Sequence, residues 1–393
     1  MTKFADRFED MSGSIIREIL KMTQFADIIS FGGGFPAPEK FPIEAVSEIT
    51  TEILKEKGSE VLQYGVTEGY MPLRELIVAR MEKKGIAASL DNTIIISGAQ
   101  QGIDLLCKSY INKGDYIVTE DPTFLGAVQT FKTYEAKVVT VPVDDSGMEV
   151  DKLEEILKNY HPKLIYTIPN FHNPTGVTMT VERRKKLVEL ATKYNVVIME
   201  DDPYGELRYS GETLPSLKSF DTEGIVVYLG SFSKVIAPGL RVGWAIAHPE
   251  IIGKMAIGKQ NTDVHTTNLS QYIVYRYITR DLLDKHIADL IEDYRIKRDL
   301  MLQKIDEYFP AEARVNVTDG GLFLWVTLPK IFDTTKILEA AVVNKVAYVP
   351  GTPFYPLGGG QNTLRLNFSN ATKEGIVEGI KRLGETIDKY IHQ

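Results

Sequence analysis

The chain has 393 residues, of which 44% are hydrophobic and 25% are charged, so it is long enough for more than one folded domain. Its net charge of −8 argues against a surface that follows nucleic-acid phosphates, and no stretch is long and apolar enough to span a membrane. The single cysteine, Cys107, lies among apolar residues, which indicates a buried structural thiol and suits a reducing compartment. We therefore expect a cytoplasmic protein that binds neither nucleic acid nor membranes.

Residues 1–45 are predicted to form an N-terminal arm. Ser14 caps a short helix that runs through Thr23, and the apolar run 28–31 leads into three glycines and a proline-rich turn. We expect this arm to lack a strong early strand and to lie over another part of the protein.

Residues 46–280 alternate between short apolar runs rich in β-branched residues and helical segments. This alternation predicts an α/β domain with a mostly parallel, seven-stranded sheet that helices cover on both faces. The strands are predicted at Thr93–Ser97, Tyr116–Thr119, Lys137–Val141, Leu164–Ile168, Val196–Glu200, Ile225–Gly230 and Val242–Ala247, and helices among them at Gln100–Ile111, Val150–Tyr160 and Val181–Tyr194.

Residues 281–393 are predicted to form a connecting helix and a smaller α+β domain. The helical spacing of apolar residues continues from Asp281 to Phe309 without a break. After Pro310 the pattern becomes mixed, with strands at Gly321–Leu328, Ala347–Val349 and Thr363–Phe368, a helix at Thr335–Asn344 and a final helix from Lys373.

Unusual polar residues follow four of the predicted strands. Open α/β sheets bind ligands at the carboxyl ends of their strands, so these exits are candidate site segments. Each has an ordinary interpretation when taken alone, as a turn, a helix cap or a solvated lysine. The four exits read Ser97-Gly98-Ala99-Gln100-Gln101, Asn173-Pro174-Thr175-Gly176, Asp201-Asp202-Pro203-Tyr204 and Ser231-Phe232-Ser233-Lys234, the last followed by Arg241.

Taken together, these exits can bind one phosphorylated aromatic compound. A helix that opens with free N–H groups suits a phosphate dianion, particularly beside two serines and an arginine. A carboxylate can keep a pyridine nitrogen protonated, an Asn and a Tyr can hydrogen-bond a phenolate oxygen, and a lysine can form an imine.

The set Asn173-Pro174-x-Gly176, Asp201-x-x-Tyr204, Ser231-x-Ser233-Lys234 and Arg241, in this order, resembles the signature of fold-type-I aminotransferases that depend on pyridoxal 5′-phosphate (PLP). The resemblance covers essentially the whole chain and points to the branch with the aminoadipate and kynurenine aminotransferases. It implies an aspartate-aminotransferase-like α/β fold and a homodimer with shared active sites. It also implies ping-pong transfer of an amino group from aminoadipate, glutamate, aromatic or large aliphatic amino acids to a 2-oxo acid such as 2-oxoglutarate.

The resemblance assigns a role to each matching residue. Lys234 would carry PLP as a Schiff base, Asp201 would pair with the pyridine nitrogen, and Tyr204 would bond the phenolic oxygen together with Asn173. Phe124 would stack on the cofactor ring, and Tyr64 would reach the phosphate of the neighbouring subunit. The residues that would hold the phosphate within one chain lie at the start of the helix after Gly98 and around Lys234: Ala99 and Gln100 through their backbone, and Ser231, Ser233 and Arg241.

The substrate would be bound by residues from both ends of the chain. Arg365 would bind the α-carboxylate beside Gly34 and Asn173, and Arg17 on the arm helix would pair with a distal carboxylate. An outward-facing, solvated arginine is the alternative interpretation of Arg17. One departure from the family is Ala99, where related enzymes often have a serine, so one side-chain contact to the phosphate would be missing.

Two other functions share this fold. PLP-dependent lyases and decarboxylases use the same lysine and its surroundings, and Arg365 with the N-terminal arm favours a transaminase over them. Some bacterial transcription regulators carry the same fold as a non-catalytic effector sensor behind a DNA-binding module. We expect the arm helix, which begins by Ser14, to leave no room for such a module.

Overall fold

The structure, a computed structural model, describes residues 3–8 and 28–391. The predicted arm helix, with Arg17, lies outside the described residues, and no described helix is long and apolar enough to cross a membrane. The helices are α1 (Ile43–Val61), α2 (Met71–Glu82), α3 (Ala99–Tyr110), α4 (Leu125–Thr133), α5 (Val150–Tyr160), α6 (Val181–Tyr194), α7 (Pro249–Gln260), α8 (Asn268–Thr279), α9 (Leu282–Tyr308), α10 (Thr334–Val343) and α11 (Lys373–Ile391).

The described strands form a large central sheet, a four-stranded sheet and a two-stranded ladder. They are β1 (Ile29–Ser30), β2 (Thr93–Ile96), β3 (Tyr116–Asp121), β4 (Lys137–Asp144), β5 (Gly147–Met148), β6 (Leu164–Thr167), β7 (Val197–Asp202), β8 (Val226–Ser231), β9 (Gly243–Ile246), β10 (Arg314–Asn316), β11 (Phe323–Thr327), β12 (Val346–Ala347), β13 (Val349–Pro350) and β14 (Thr363–Asn367).

The central sheet has the order β2-β9-β8-β7-β6-β3-β4-β5. Seven of these strands are the predicted ones, and β5 is a two-residue addition that runs antiparallel to the end of β4. The pairs from β8 through β7, β6 and β3 to β4 are parallel, whereas β9 runs antiparallel to both β8 and β2. The prediction of a mostly parallel α/β sheet is therefore confirmed.

Strand direction brings the candidate segments to one edge of this sheet. Because β9 reverses between β8 and β2, β2 runs in the same direction as β8 and the parallel strands. A single edge of the sheet consequently holds the carboxyl ends of β2, β3, β6, β7 and β8. The amino end of β9 lies at the same edge, because β9 runs in the opposite direction. Residues that are far apart in the sequence are thus placed around one site.

The central sheet is buried on both faces. Neighbouring residues of β3 belong to different apolar clusters, with Ile117 in one and Val118 in the other, and both are fully buried. Helices α5 and α6 cover one of these faces. Cys107 on α3 is also fully buried, and burial raises the pKa of its thiol, so it is a structural thiol as expected.

The second sheet has the order β10-β11-β14-β13 and presents Arg365 from its interior strand β14. The single strand predicted at Ala347–Val349 is in fact two short strands. The chain leaves one ladder after Ala347, which pairs with Ser30, and joins the second sheet at Val349, which pairs with Arg365. The sequence prediction missed this because both strands are apolar and only Tyr348 separates them.

Candidate active site

A cavity of about 330 Å³ lies where the carboxyl ends of the central strands meet. Most of the residues that the sequence singled out line it. Gly98 lies just behind its wall, Tyr64 is not among the lining residues, and Arg17 belongs to the part of the chain that is not described. The predicted residues that line the cavity are Gly34, Ala99, Gln100, Phe124, Asn173, Asp201, Tyr204, Ser231, Ser233, Lys234, Arg241 and Arg365.

Asp201, near the carboxyl end of β7, carries a carboxylate with one satisfied and one open oxygen. Its Oδ2 atom accepts a hydrogen bond of 2.7 Å from the hydroxyl of Tyr166, whereas Oδ1 has no partner among the described residues. Burial raises the pKa of Asp201 to about 7, against the hydrogen bond from Tyr166, which lowers it. An open oxygen on a buried carboxylate is costly, and a protonated aromatic nitrogen would satisfy it.

Lys234 follows β8 and its side chain reaches the same cavity. Its Nζ atom donates a hydrogen bond of 2.7 Å to the carbonyl oxygen of Gly34. Burial lowers the pKa of Lys234 to about 8, and the positive charges of Arg365 and Arg241 act in the same direction. A larger fraction of this amine is therefore unprotonated near neutral pH than for a solvated lysine, which suits a nucleophile or a base.

The start of helix α3 forms an anion site with Arg241. The first N–H groups of a helix, here those of Ala99 and Gln100, have no carbonyl partner within the helix. The Arg241 Nη2 atom donates to the carbonyl oxygen of Ser97 over 2.8 Å, and this places the guanidinium beside that helix end. The side chain at position 99 is a methyl group, so it offers no hydroxyl to an anion at this helix end.

Gly98 permits this close approach. A Cβ atom at Gly98 would lie 2.5 Å from Arg241 Nη2, and its φ of +85° is a conformation that other residues rarely adopt. Opposite it, Ser231 donates a hydrogen bond of 2.9 Å to the hydroxyl of Ser233, and both serines face the cavity. Backbone donors, two hydroxyls and a guanidinium thus converge, and this set of donors fits a phosphate dianion.

Asn173, which follows β6, forms a hydrogen bond inside the cavity to a residue of the second sheet. Its Oδ1 atom accepts a hydrogen bond of 2.8 Å from Arg365 Nη1, and its Nδ2 atom lies 3.5 Å from the hydroxyl oxygen of Tyr204. Both Asn173 and Tyr204 are almost fully buried, and burial raises the pKa of the Tyr204 hydroxyl. The hydroxyl therefore stays protonated and can donate to an anionic oxygen in the cavity.

Arg365 is a buried cation without a carboxylate partner in the described part of the chain. Only 1% of the residue is exposed, and its Nη2 atom donates to the carbonyl oxygen of Gly32 over 2.9 Å. Its Nε atom has no partner there, and the guanidinium lies over the rings of Phe323 and Phe354, 4.2 and 5.0 Å from their centroids. Burial lowers its pKa to about 10, so it remains charged at neutral pH and can bind an anion.

Tyr64 has a different position from the other predicted residues. Its side chain is 79% exposed and stands edge-on to the ring of His265, with 5.9 Å between the centroids. An exposed aromatic side chain of this kind is available for contact with a second molecule. Phe124, by contrast, lies at the wall of the cavity in its own chain.

Sequence reasoning missed several buried polar residues behind the cavity. Tyr166 on β6 is fully buried and donates to Asp201, and His172 Nε2 lies 3.1 Å from Glu120 Oε2. The hydroxyl of Thr167 also donates to Glu120, over 2.7 Å. The available signal was a tyrosine inside a strand that must be buried on both faces, because such a hydroxyl needs a partner.

Comparisons with known proteins agree with this geometry. The sequence profile described as "Aminotransferase class I and II" matches residues 26–383. The chain is 48% identical to an aromatic-amino-acid aminotransferase of Thermococcus litoralis, over 98% of this chain and 94% of the other.

Two solved structures superpose on almost the whole chain. A Pyrococcus horikoshii kynurenine aminotransferase, in complex with pyridoxamine phosphate, has 45% identity and a TM-score of 0.94 over 99% of this chain and 97% of its own. An α-aminoadipate aminotransferase of Thermus thermophilus, complexed with N-(5′-phosphopyridoxyl)-L-leucine, has 38% identity and a TM-score of 0.93 over 99% and 98% of the two chains.

The replacement Gly98→Ala tests the anion site. The new methyl group must displace Arg241 and strain the backbone, so the affinity for PLP is expected to fall by about tenfold or more, as for a lost charge-assisted hydrogen bond. Titration of the cofactor-free protein with PLP measures the effect. Gly253→Ala on α7 is the control, because a Cβ atom there meets nothing within 4 Å. Equal PLP affinity in the two variants would contradict this account of Gly98.

Proposed function

The chain belongs to the family of class I and II aminotransferases, and on that premise we propose which of its residues carry out PLP-dependent transamination and which substrates it accepts. Its cofactor is PLP, and its substrates are amino acids and 2-oxo acids. When bound, PLP supplies an aldehyde that condenses with amines and an aromatic ring that stabilises negative charge at the substrate's α-carbon.

This assignment rests on one observation: Arg365 and Lys234 line the same cavity. Arg365 is a buried cation that no described carboxylate balances, so it is available for the α-carboxylate of an amino acid. With the carboxylate held there, the α-carbon falls within the cavity that Lys234 enters. We assign to the Lys234 amine the removal of the α-proton, for which the pKa of about 8 is favourable.

The remaining residues hold and orient the cofactor in this proposal. The open oxygen of Asp201 would accept a hydrogen bond from the protonated pyridine nitrogen, and Tyr204 and Asn173 would hydrogen-bond the phenolic oxygen. Phe124 would stack against the ring. The phosphate would be bound by two serines, Arg241 and the N–H groups at the start of α3.

We propose a broad range of amino donors. The relatives named above act on aromatic amino acids, kynurenine and α-aminoadipate. Phe35 and Ile168 give the cavity apolar walls that suit an aromatic or aliphatic side chain. For dicarboxylic donors such as aminoadipate and glutamate, we assign the distal carboxylate to Arg17.

We also propose that the active unit is a homodimer. Tyr64 is exposed and lies outside the cavity of its own chain, so it is free to reach the phosphate site of a second copy. Two further exposed apolar residues close to it in sequence, Leu62 and Val66, support a contact surface in this region, because exposed apolar residues that cluster mark interaction sites.

The replacement Lys234→Ala tests the assigned reaction. It removes the amine that binds the cofactor and moves the proton, so the yellow colour of the purified protein and its transaminase activity are expected to be lost. Absorbance spectra and an assay with 2-oxoglutarate measure both, and Lys254→Ala on an exposed face of α7 is the control. Turnover at the wild-type rate in Lys234→Ala would refute the assignment.

Incubation of the wild-type protein with an amino donor alone distinguishes a transaminase from a lyase or decarboxylase. Without a 2-oxo acid, a transaminase should stop after one turnover, whereas continued turnover would indicate a lyase or decarboxylase.

A panel of donors tests the assignment of Arg17. With 2-oxoglutarate as acceptor, Arg17→Ala is expected to lose about tenfold or more of kcat/KM for aminoadipate, because a charged hydrogen bond to the distal carboxylate is removed. Phenylalanine and leucine, which lack that carboxylate, serve as the internal control and should change little. Equal losses for both classes of donor would show that Arg17 does not read the distal carboxylate.

Mixed dimers test the shared site. In a dimer with one Lys234→Ala subunit and one Tyr64→Ala subunit, sharing across the interface leaves one site intact, so about half of the wild-type activity is expected from the site count. Each variant alone should be much less active, and a dimer of wild type with Lys234→Ala is the control. An inactive mixed dimer, or a fully active Tyr64→Ala homodimer, would argue against sharing through Tyr64.

A further inference from the structure

We propose that Tyr166 is a positioning residue that favours the ionised form of Asp201 and leaves only its Oδ1 atom open to the cavity. The inference rests on the proposed function, in which Asp201 pairs with the pyridine nitrogen of the cofactor. Tyr166 lies on β6, one strand away from Asp201 on β7, and it is not among the residues that line the cavity. It therefore acts on the reaction through Asp201 and does not touch the substrate.

The geometry of the contact restricts Asp201 to one orientation. The Tyr166 hydroxyl lies 2.7 Å from Oδ2, and both residues are buried within the sheet. Burial raises the pKa of Tyr166 well above its usual value, so its hydroxyl stays protonated and donates to the carboxylate. Because Oδ2 already accepts the hydrogen bond from Tyr166, Oδ1 is the oxygen left for a ligand.

The charges around Asp201 oppose its ionisation. Burial is the largest effect, and the nearby carboxylates of Asp202 and Glu120 add to it. Lys234 acts in the other direction but more weakly than the hydrogen bond from Tyr166, which is the strongest influence that lowers the pKa of Asp201. The titratable groups that face Asp201 are Tyr166, Tyr204, Glu120, Asp202 and Lys234.

Ionised Asp201 matters because the pyridine nitrogen and the carboxylate compete for one proton. A carboxylate that accepts a hydrogen bond holds a proton less tightly, so the proton stays on the ring nitrogen. Without the hydroxyl of Tyr166, the proton moves from the ring toward Asp201, and the ring becomes a weaker acceptor of negative charge.

The next residue provides a matched comparison within the same strand. Asp202 accepts a hydrogen bond of 2.9 Å from the hydroxyl of Tyr228 on β8, and a second, also of 2.9 Å, from the side chain of Asn170. Both oxygens of Asp202 are thus satisfied, and it does not line the cavity. Each aspartate has a buried tyrosine donor from a neighbouring strand, but only Asp201 keeps an oxygen for a ligand.

The test compares Tyr166→Phe with Tyr228→Phe. Both changes remove one buried hydroxyl that donates to an aspartate of β7 and keep the aromatic ring, which for Tyr166 packs edge-on to Phe131. PLP labelled with ¹⁵N at the ring nitrogen is bound to each protein, and the ¹⁵N chemical shift reports the protonation of that atom. Steady-state kinetics with one donor give kcat and KM separately.

In Tyr166→Phe, the ¹⁵N shift is expected to move toward the unprotonated value. The kcat should fall by about ten- to a hundredfold, as for a lost hydrogen bond to a charged group, with KM nearly unchanged because Arg365 is untouched. Tyr228→Phe should leave both readouts near wild type. An unchanged ¹⁵N shift in Tyr166→Phe, or the same shift in both variants, would overturn the proposal.

The readouts separate this inference from the function beneath it. If wild type binds labelled PLP but does not transaminate, the proposed function fails, whereas the ¹⁵N comparison still tests Tyr166 because it needs no turnover. If Tyr166→Phe binds PLP too weakly for the measurement, titration of Asp201 in the cofactor-free protein by ¹³C carboxyl NMR tests the role of Tyr166 instead. The Asp201 pKa must then rise above its wild-type value, and an unchanged pKa would refute the proposal.

Discussion

Five of the six strands that run in the same direction carry five loops of the site to one edge of the central sheet. The positions of most polar groups in the cavity follow from this constraint, because β2, β3, β6, β7 and β8 all end there and the reversed strand β9 begins there. The second sheet adds one residue, Arg365, from β14. Backbone hydrogen bonding over the whole sheet therefore brings the site residues together, and direct contacts such as those of Asp201 with Tyr166 and of Asn173 with Arg365 orient individual side chains.

The site holds charges that the rest of the protein leaves unbalanced. Arg365 lacks a carboxylate among the described residues, Asp201 keeps an open oxygen, and the amine of Lys234 is poorly solvated. Each of these arrangements lowers the stability of the folded chain, since buried charged groups without partners are costly. In the proposed function, a phosphorylated pyridine and an amino acid supply the missing partners, so binding offsets this cost.

The fold class and most of the lining residues followed from the sequence, because each lies in a strand exit with a distinct residue pattern. Tyr166 did not, because a tyrosine in an apolar run gives no sign of which carboxylate its hydroxyl will meet. The division around Tyr348 was also beyond sequence reasoning, since β12 and β13 differ in their partners and not in their composition. Local pattern identifies elements well, whereas pairing between distant segments depends on the packing of the whole chain.

The contact between Asn173 and Arg365 joins a loop of the central sheet to a strand of the second sheet. The geometry of the cavity therefore depends on the relative placement of two sheets that each have their own backbone hydrogen bonding. A displacement of about an ångström between them is enough to break this hydrogen bond while every helix and strand survives. An activity assay should consequently detect a displacement between the two sheets that circular dichroism does not detect. On heating, activity should vanish while the secondary structure is still intact.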